Sequence, residues 1–434
     1  MPVFPDLDHY TWFEAHTETI IAKCKRTAIS VPGVTDQPFV FYVPGGDDKY
    51  PSFWIRDAGM QCRSGFISRE TMETMLQVIL WFQNGPRQRN LAHGLRVDPW
   101  SIPDHINLPG VGSPEMLKKN GVGAVFFPGT YSTSDDQGTG GYGVRPADDD
   151  IYEVVELAYL ISQWMIPSQR RAWLAGNING VAIIERLHLG MRHMTVEPEF
   201  GLCFNGSDDW AAASFHDALR PRGCVTLTSA LRFRAAQRMR RMATALGKKD
   251  FACQYEDMAR RIAEGLQNRM QMPDGWLMIG SDTYRQPDLW GTAQALYHGA
   301  LNGESAQAAR SALLKAVMDG SITSAGGYLR HTPLWADIVP GKSTWSDEIN
   351  PFGVYQSGGY WPQMIGHVAW CIAPLNMDSA RQLACKFIDH TRDRAEHGAP
   401  FEWLNPAIPK EDGRWYSPSA TLPLEAFRRL SSCD

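Results

Sequence analysis

The sequence lacks the marks of several protein classes. Its 42 Lys and Arg stand against 47 Asp and Glu, and the net charge of −5 differs from the basic excess typical of nucleic-acid-binding proteins. No apolar run reaches the roughly 18 residues that a membrane-spanning helix requires. The N-terminus has no basic start, apolar stretch or small-residue cleavage site, so we expect no signal peptide. We therefore predict a chain that binds neither nucleic acid nor membrane.

Signs of cysteine chemistry are also lacking. The 8 cysteines are scattered, no two have the C-x-x-C spacing, and no Cys/His cluster along the sequence suggests zinc. We expect free thiols in a cytoplasmic protein, and neither a metal nor an organic cofactor. Whether identical chains form a homo-oligomer is left open by the sequence.

Helical periodicity is what the sequence does contain. No fixed repeat, low-complexity segment or charge run divides the 434 residues, so we expect one domain over residues 1–434. Paired helices favour an all-α fold, either a solenoid or a closed α/α toroid, whose long polar loops would form a funnel that carries the chemistry. The predicted helices cover residues 68–83, 148–165, 167–194, 227–247, 249–270, 289–303, 304–320, 360–373 and 377–398, and the best candidate strands are 39–44 and 275–282.

The stretch "PSFWIRDAGMQ" places two charged residues after an apolar run. Charged side chains are seldom fully buried unless they are paired. Arg56 offers a planar fork of donors and Asp57 accepts several hydrogen bonds, so the two are suited to grip adjacent hydroxyls of a sugar. Trp54 would form a wall beside them. A structural ion pair that ties a loop to the fold accounts for them equally well.

Two further groups of carboxylates precede predicted helices. Three consecutive aspartates, Asp148 to Asp150, exceed what one helix cap needs, so one of them is a candidate ligand for sugar hydroxyls. Asp208 and Asp209 stand before Trp210. An apolar indole and a neighbouring carboxylate favour the protonated form of a carboxyl group, which is the form that a general acid needs. N-terminal capping of a helix is the alternative in both cases.

Two later loops combine aromatic residues with glycine or a lone acid. In "YQSGGYWP", Gly358 and Gly359 let the backbone approach a ligand, and Tyr360 and Trp361 are suited to stack on a sugar. The alternative is a tight turn into a core helix. Glu402 lies in an aromatic and proline-rich loop, where it is suited to be a general base for water or is simply a surface glutamate.

Taken in order, these segments resemble those of the six-hairpin (α/α)6-barrel glycosidases. They are nearest to the inverting glucoamylases, trehalases, family-63 glucosidases and α-rhamnosidases. "FWIRDAGM" is similar to the glucoamylase segment whose Arg and Asp hold the terminal sugar. "GSDDW" resembles a Gly-x-Asp segment whose Asp is the general acid, which implies Asp208, with Asp209 as the competitor. "FEWLNP" resembles the segment that carries the general base, which implies Glu402.

The resemblance implies an all-α (α/α)6 toroid with short β-hairpins in its loops and a hydrolase of O-glycosyl bonds. It implies inverting, exo-acting cleavage of a terminal sugar of an oligosaccharide or small glycoside, with the two catalytic carboxyl groups about 6.5–9.5 Å apart. The partner would be a carbohydrate substrate, without a cofactor. The residues expected to bind it are Trp54, Arg56, Asp57, Asp148, Asp149, Asp150, Trp210, Gln356, Gly359, Tyr360 and Trp361.

Other functions are open at this stage. A sugar 2-epimerase of the N-acylglucosamine epimerase type would use paired histidines on a similar toroid, and an inverting phosphorylase would replace the base by a phosphate-binding loop. A non-catalytic binding protein or helical scaffold leaves the ordered carboxylates without a purpose. The candidate histidines are His105, His193, His216, His298, His331 and His367, and arginines that could bind an acidic sugar are Arg96, Arg145, Arg330 and Arg414.

Overall fold

Helices provide most of the regular structure. The computed structural model describes residues 3–432 except 29, 32–33, 48, 51, 91–95, 108–124, 127–143, 210, 217–218, 283–284, 338–350 and 409. The described helices are α1 (Leu7–Cys24), α2 (Ile55–Gln61), α3 (Arg69–Phe82), α4 (Asp150–Gln163), α5 (Pro167–Leu174), α6 (Ile183–Arg192), α7 (Thr226–Ala245), α8 (Lys249–Gly265), α9 (Leu289–His298), α10 (Gly303–Met318), α11 (Ile365–Ile372), α12 (Met377–Asp393) and α13 (Pro418–Ser432).

Six of these helices form a closed inner ring. Helix α2 contacts α4, α4 contacts α7, α7 contacts α9, α9 contacts α11, α11 contacts α13, and α13 returns to α2. Outside this ring, α1 packs against α13, α3 against α4, α8 against α7, α10 against α9 and α12 against α11. The fold is therefore the predicted all-α (α/α)6 toroid.

Hydrophobic patterning separates the inner from the outer helices. Inner helix α9 buries every residue from Leu289 to Tyr297 because neighbours cover it on both sides. Outer helix α8 is amphipathic and buries only three of its 17 residues. Small residues let inner helices approach closely: a Cβ added at Gly366 of α11 would lie 2.7 Å from the Cβ of Ala426 in α13. No helix in the described part of the chain is both long and apolar enough to cross a membrane.

Buried ion pairs connect the inner helices. Glu153 of α4 is held by Arg63 and by Arg234 of α7, whose Nη2 lies 2.8 Å from a carboxylate oxygen. Arg238 of α7 lies 2.9 Å from Glu156 of α4. Burial raises the pKa of Glu156, but Arg238 and Arg234 lower it to about 2. Because buried charges are tolerated only when they are paired, this network fixes how α4 and α7 pack.

The strands are short, and each pair is antiparallel. Three strands form one sheet in the order β3 (Phe53–Trp54), β6 (His105–Asn107) and β7 (Val125–Phe126). The other pairs are β1 (Lys25–Ala28) with β2 (Phe39–Tyr42), β4 (Arg89–Asn90) with β5 (Arg96–Val97), β8 (Asn177–Ile178) with β9 (Val181–Ala182), β10 (Phe204–Asn205) with β11 (Gly223–Cys224), and β12 (Trp403–Asn405) with β13 (Lys410–Asp412).

Most of the predicted helices are confirmed, but with shorter ends. The helix predicted over residues 167–194 is wrong as one element, because a turn with positive φ at Asn179 and Gly180 divides it into α5, the β8–β9 hairpin and α6. The predicted strand at 39–44 is β2, whereas 275–282 makes only single bridges and no strand. Helices α1, α2 and α13 were not predicted.

Candidate active site

A pocket at the loop side of the ring collects several of the predicted site residues. It offers about 320 Å³ of free space, part of it open to solvent. Asp57 and Glu402 are the two acidic residues among the described residues that line it. The described lining consists of Pro44, Tyr50, Trp54, Arg56, Asp57, Phe215, Tyr355, Glu402 and Tyr416.

Glu402 is held at the start of the β12–β13 hairpin. Its backbone N–H donates to the carbonyls of Asp412 (2.9 Å) and Gly413 (2.8 Å), and its side chain is only 2% exposed. The hydroxyl of Tyr50 donates to its carboxylate at 2.7 Å, and Lys49 Nζ lies 2.8 Å from Oε2 and 3.0 Å from Asp412. Glu402 is therefore an acceptor from a cation and a hydroxyl, as an ionised carboxylate is.

Arg56 and Asp57 have separate partners, and Arg56 makes a structural ion pair, which is one of the two predicted alternatives. Consecutive residues of a helix point in different directions, and both residues lie in the first turn of α2. Arg56 instead holds Asp149 in two parallel hydrogen bonds of 2.7 and 3.1 Å. Asp57 accepts a hydrogen bond of 2.8 Å from the hydroxyl of Tyr416. Both residues line the pocket, but the guanidinium of Arg56 is held by the buried Asp149, whereas Asp57 bonds to Tyr416.

The electrostatics of Asp57 suit proton transfer near neutral pH. Burial raises the pKa of Asp57 to about 7, although Arg56 and the Tyr416 hydroxyl lower it and the nearby Glu402 and Asp104 raise it. A carboxyl group with this pKa is partly protonated at pH 7, unlike an ordinary aspartate. Asp57 therefore has the raised pKa that a general acid in this pocket would need.

The three consecutive aspartates are all buried, but they have different neighbours. Asp148 lies 3.6 Å from Arg145, and burial raises its pKa to about 7. Asp149 pairs with Arg56 as described above. Burial, followed by the charges of Asp104 and Asp149, raises the pKa of Asp150 well above its usual value. The carboxylate oxygens of both Asp148 and Asp150 have no hydrogen-bond partner among the described residues, so the surroundings of both aspartates exceed a helix-capping role.

Asp208 and Asp209 are placed differently from the pocket carboxyls. Asp208 is exposed, and Asp209 lies 3.0 Å from Arg96 and 3.0 Å from Arg145. Neither aspartate is among the described residues that line the Glu402 pocket. The neighbouring Trp210 lies outside the described residues. The structure thus places this segment near Asp148, through Arg145, and not at Glu402.

The arginines considered as ligands for an acidic sugar are mostly engaged. Arg96 and Arg145 pair with Asp209, and Arg330 pairs with Asp337. Arg414 is exposed, and its backbone N–H donates to Asp47. These contacts give no support to binding of an acidic sugar.

The Gly-Gly-Tyr-Trp segment contacts protein and not the pocket. Trp361 is fully buried, and its indole N–H donates to the carbonyl of Tyr355 at 3.2 Å. A Cβ at Gly359 would lie 2.3 Å from the same carbonyl oxygen, so the close approach serves the turn. Tyr360 exchanges backbone hydrogen bonds of 2.8 and 2.9 Å with Leu404 of β12. The segment, including the fully buried Gln356, thereby supports the hairpin that carries Glu402.

Five of the described lining residues, and Lys49 beside Glu402, were not found from the sequence; the five are Pro44, Tyr50, Phe215, Tyr355 and Tyr416. Lys49 and Tyr50 precede the Arg-Asp segment, and Tyr355 and Tyr416 lie within the two later loops. Folding brings Lys49 and Tyr50 to Glu402, and it brings the hydroxyl of Tyr416 to Asp57. Tyr355 joins the pocket lining in the same way. In the sequence, the one sign of a role in the site was their position next to the Arg-Asp, Gly-Gly-Tyr-Trp and Glu402 segments.

Two of the candidate histidines lie together in the core. The ring centroids of His216 and His331 are 5.3 Å apart, and His216 Nε2 lies 3.4 Å from Asp288. Burial lowers the pKa of His216 to about 3, and it lowers the pKa of His331 well below its usual value. Both rings are therefore neutral near pH 7.

The ring of helices defines the class of structure: the chain has the six-hairpin glycosidase fold. It resembles a GH63 mannosylglycerate hydrolase from Thermus thermophilus in complex with glucose, with a TM-score of 0.55 and 13% identity over 95% of this chain and 99% of that one. It also resembles a rhamnosidase from Klebsiella oxytoca with rhamnose bound, with a TM-score of 0.56 and 11% identity over 100% of this chain and 66% of that one. No sequence family and no curated protein matches the chain. At these identities the likeness shows the fold alone.

Proposed function

We propose that the protein is a glycoside hydrolase that cleaves an O-glycosidic bond in the Glu402 pocket. The observation that carries this proposal is that two carboxyl groups from opposite ends of the chain, Asp57 and Glu402, line one pocket with aromatic walls. Such a pair is the machinery of glycoside hydrolysis. Structures with the same fold hold glucose or rhamnose, which supports a carbohydrate substrate.

The proposed mechanism is inverting. Glu402 takes a proton from a water molecule that attacks the anomeric carbon, while a carboxylic acid protonates the leaving oxygen. The ammonium of Lys49 and the hydroxyl of Tyr50 hold Glu402 in place for this step. Trp54 and Tyr355 would face the sugar ring. Exo action on a terminal sugar stays a prediction from the resemblance.

Two assignments of the general acid compete. We favour Asp57, because it lines the pocket and the pKa of Asp57 is about 7. The resemblance implies Asp208 or Asp209, and that assignment stays a prediction. Acid catalysis matters least when the leaving group is already a weak base. The true acid is therefore the residue whose Asn variant (Asp57→Asn, Asp208→Asn or Asp209→Asn) loses activity on alkyl glycosides but keeps much of it on dinitrophenyl glycosides.

A panel of aryl and natural glycosides, with NMR of the product, tests the hydrolase and its stereochemistry. We expect a terminal sugar to be released, with the anomer first formed opposite in configuration to that of the substrate. Release of the same configuration would contradict the inverting mechanism. No release from any member of a broad panel would contradict the hydrolase itself.

The paired histidines support a second candidate, a sugar 2-epimerase. The ring centroids of His216 and His331 are 5.3 Å apart, but both rings are buried and neutral near pH 7. Incubation with free sugars and NMR detection of the 2-epimer tests it. Formation of an epimer that His216→Gln abolishes, without glycoside hydrolysis, would replace the hydrolase proposal.

A further inference from the structure

Three metal-ligating side chains meet on the outside of the toroid, away from the Glu402 pocket. Asp6 caps the N-terminus of α1, His9 lies in the first turn of that helix, and Cys385 lies in the middle of α12. Asp6 Oδ2 is 2.7 Å from His9 Nδ1 and 3.7 Å from Cys385 Sγ, and all three ligand atoms lie within 4.8 Å of one another. Of the described residues, this is the one such group of three.

We propose that Asp6, His9 and Cys385 bind a zinc ion that joins α1 to α12. Imidazole nitrogen, thiolate sulfur and carboxylate oxygen are the three ligand types that zinc takes in proteins. The fourth position of the tetrahedron would be occupied by water. The proposal is independent of the glycosidase assignment, since the cluster shares no residue with the pocket.

A fourth residue supports the site from behind. His9 Nε2 lies 3.0 Å from Asp389, one helical turn after Cys385. A carboxylate on the far nitrogen of a histidine fixes its ring and tautomer, and this is the usual environment of a zinc-bound histidine. Here it places Nδ1 toward Asp6 and Cys385. The cluster is thus more than a cap or a single thiol, because an independent contact orients the histidine as a ligand.

The distances require only a small adjustment. Ligand atoms of a tetrahedral zinc ion lie roughly 3.3–3.7 Å apart, given bond lengths of roughly 2.0–2.3 Å. The Asp6 to Cys385 distance of 3.7 Å already fits, and the Asp6 to His9 hydrogen bond of 2.7 Å would open when the metal replaces its proton. The side chain of Asp6 is 50% exposed, so the ion can enter from solvent.

The competing explanation is a metal-free ion pair. Burial lowers the pKa of His9, but Asp6 and Asp389 together raise it above its usual value, so an imidazolium between two carboxylates is also stable. Burial and then Asp6 raise the pKa of the Cys385 thiol to about 11. Zinc binding must therefore release the thiol proton, whereas the ion pair predicts no affinity for metal at all.

Titration of the chelator-treated full-length protein with zinc chloride distinguishes the two explanations. We expect binding of one ion at pH 7.5 that is at least tenfold weaker in His9→Gln and Cys385→Ser, and about 10- to 100-fold weaker in Asp389→Asn. Cobalt should give a thiolate-to-metal charge-transfer band that Cys385→Ser lacks. The matched control is Cys253→Ser, which removes an exposed thiol on α8 and should bind as the unmodified protein does.

Alkylation of the unmodified protein provides a readout that does not depend on the folding of variants. Zinc should slow the modification of Cys385, detected by mass spectrometry, and leave that of Cys253 unchanged. Absence of zinc binding, binding that Cys385→Ser leaves intact, or equal protection of both thiols would overturn the proposal.

Discussion

At the scale of a single residue, Lys49 holds Glu402, the carboxylate that we propose as the general base. Its ammonium lies 2.8 Å from Glu402 and 3.0 Å from Asp412, and burial lowers its pKa while both carboxylates raise it. Because charge-assisted hydrogen bonds contribute about 1.5–3 kcal/mol, we expect Lys49→Met to lower kcat about 10- to 100-fold. The control is Lys410→Met, a half-exposed lysine on the same hairpin. Equal activity of the two variants would show that Lys49 does not position the base.

As the proposed general acid, Asp57 should give the pH profile its alkaline limb. A general acid acts only while protonated, and burial raises the pKa of Asp57 to about 7. We therefore expect kcat/KM to fall as the pH rises through about 7. Below that pH, the protonation of Asp57 should no longer limit kcat/KM. In Asp57→Asn this limb should disappear, because the residue no longer titrates. Persistence of the limb in the variant would assign the proton to another group, with Asp208 and Asp209 the next to test.

At the scale of an element, Asp288 caps helix α9 with a buried carboxyl group. Its side chain accepts a hydrogen bond from Gly291 N–H at 2.7 Å, and burial raises the pKa of Asp288 to about 7 despite this bond. The unfolded chain loses the proton near pH 4, whereas the folded chain keeps it until about pH 7. Stability from this group therefore falls as pH rises between about 4 and 7, by up to about 1.4 kcal/mol per pH unit.

Asp288→Asn retains a capping oxygen and removes the charge. We expect the free energy of unfolding of the variant, relative to that of the unmodified protein, to increase as the pH rises from 5 to 8. Urea titration at the two pH values measures this difference. His216, 3.4 Å away, is neutral over the range because its pKa is about 3. A stability difference that is the same at both pH values would contradict the assignment.

The ion network between α4 and α7 predicts a large cost for removing one partner. Glu153 is buried between Arg63 and Arg234, so Glu153→Gln removes the nearest counter-ion of two buried guanidinium groups, which keep only the longer contacts to Glu425 (3.7 Å) and Glu156 (3.5 Å). We expect a loss of about 3–5 kcal/mol in unfolding free energy. Glu73→Gln breaks the partly exposed i,i+4 pair with Arg69 and should cost less than about 1 kcal/mol. Similar losses in both variants would contradict the structural role of the network.

Elements were predictable where the sequence has a strong local signal. Helices α7, α8, α10 and α12 carry long periodic runs, and their predicted positions are confirmed. Helix α2 was missed because its seven residues are all buried, which leaves no amphipathic period to detect. Helix α13 was missed because it contains Pro423, an unusual residue within a helix, and because it follows a proline-rich loop without helical periodicity.

At the scale of the whole molecule, the site depends on closure of the ring. Helix α13 returns to α2, and this brings the C-terminal hairpin with Glu402 against Tyr50 and Asp57 near the N-terminus. The order of the segments predicted the toroid, which is confirmed, and it predicted Glu402 as the general base, which stays a prediction. It could not predict that Arg56 would hold Asp149, nor that Lys49 would reach Glu402, because such pairings arise only from packing.

The kcat of Glu402→Gln on the best glycoside of the panel tests the central claim most directly. Glutamine retains the shape and one accepting oxygen but cannot take a proton from water, so we expect kcat to fall about 10²–10⁴-fold. KM should change little. Glu411→Gln, on the same hairpin but paired with Arg394 at the surface, should keep nearly full activity. A kcat for Glu402→Gln within twofold of that for Glu411→Gln would contradict a two-carboxylate glycosidase in this pocket.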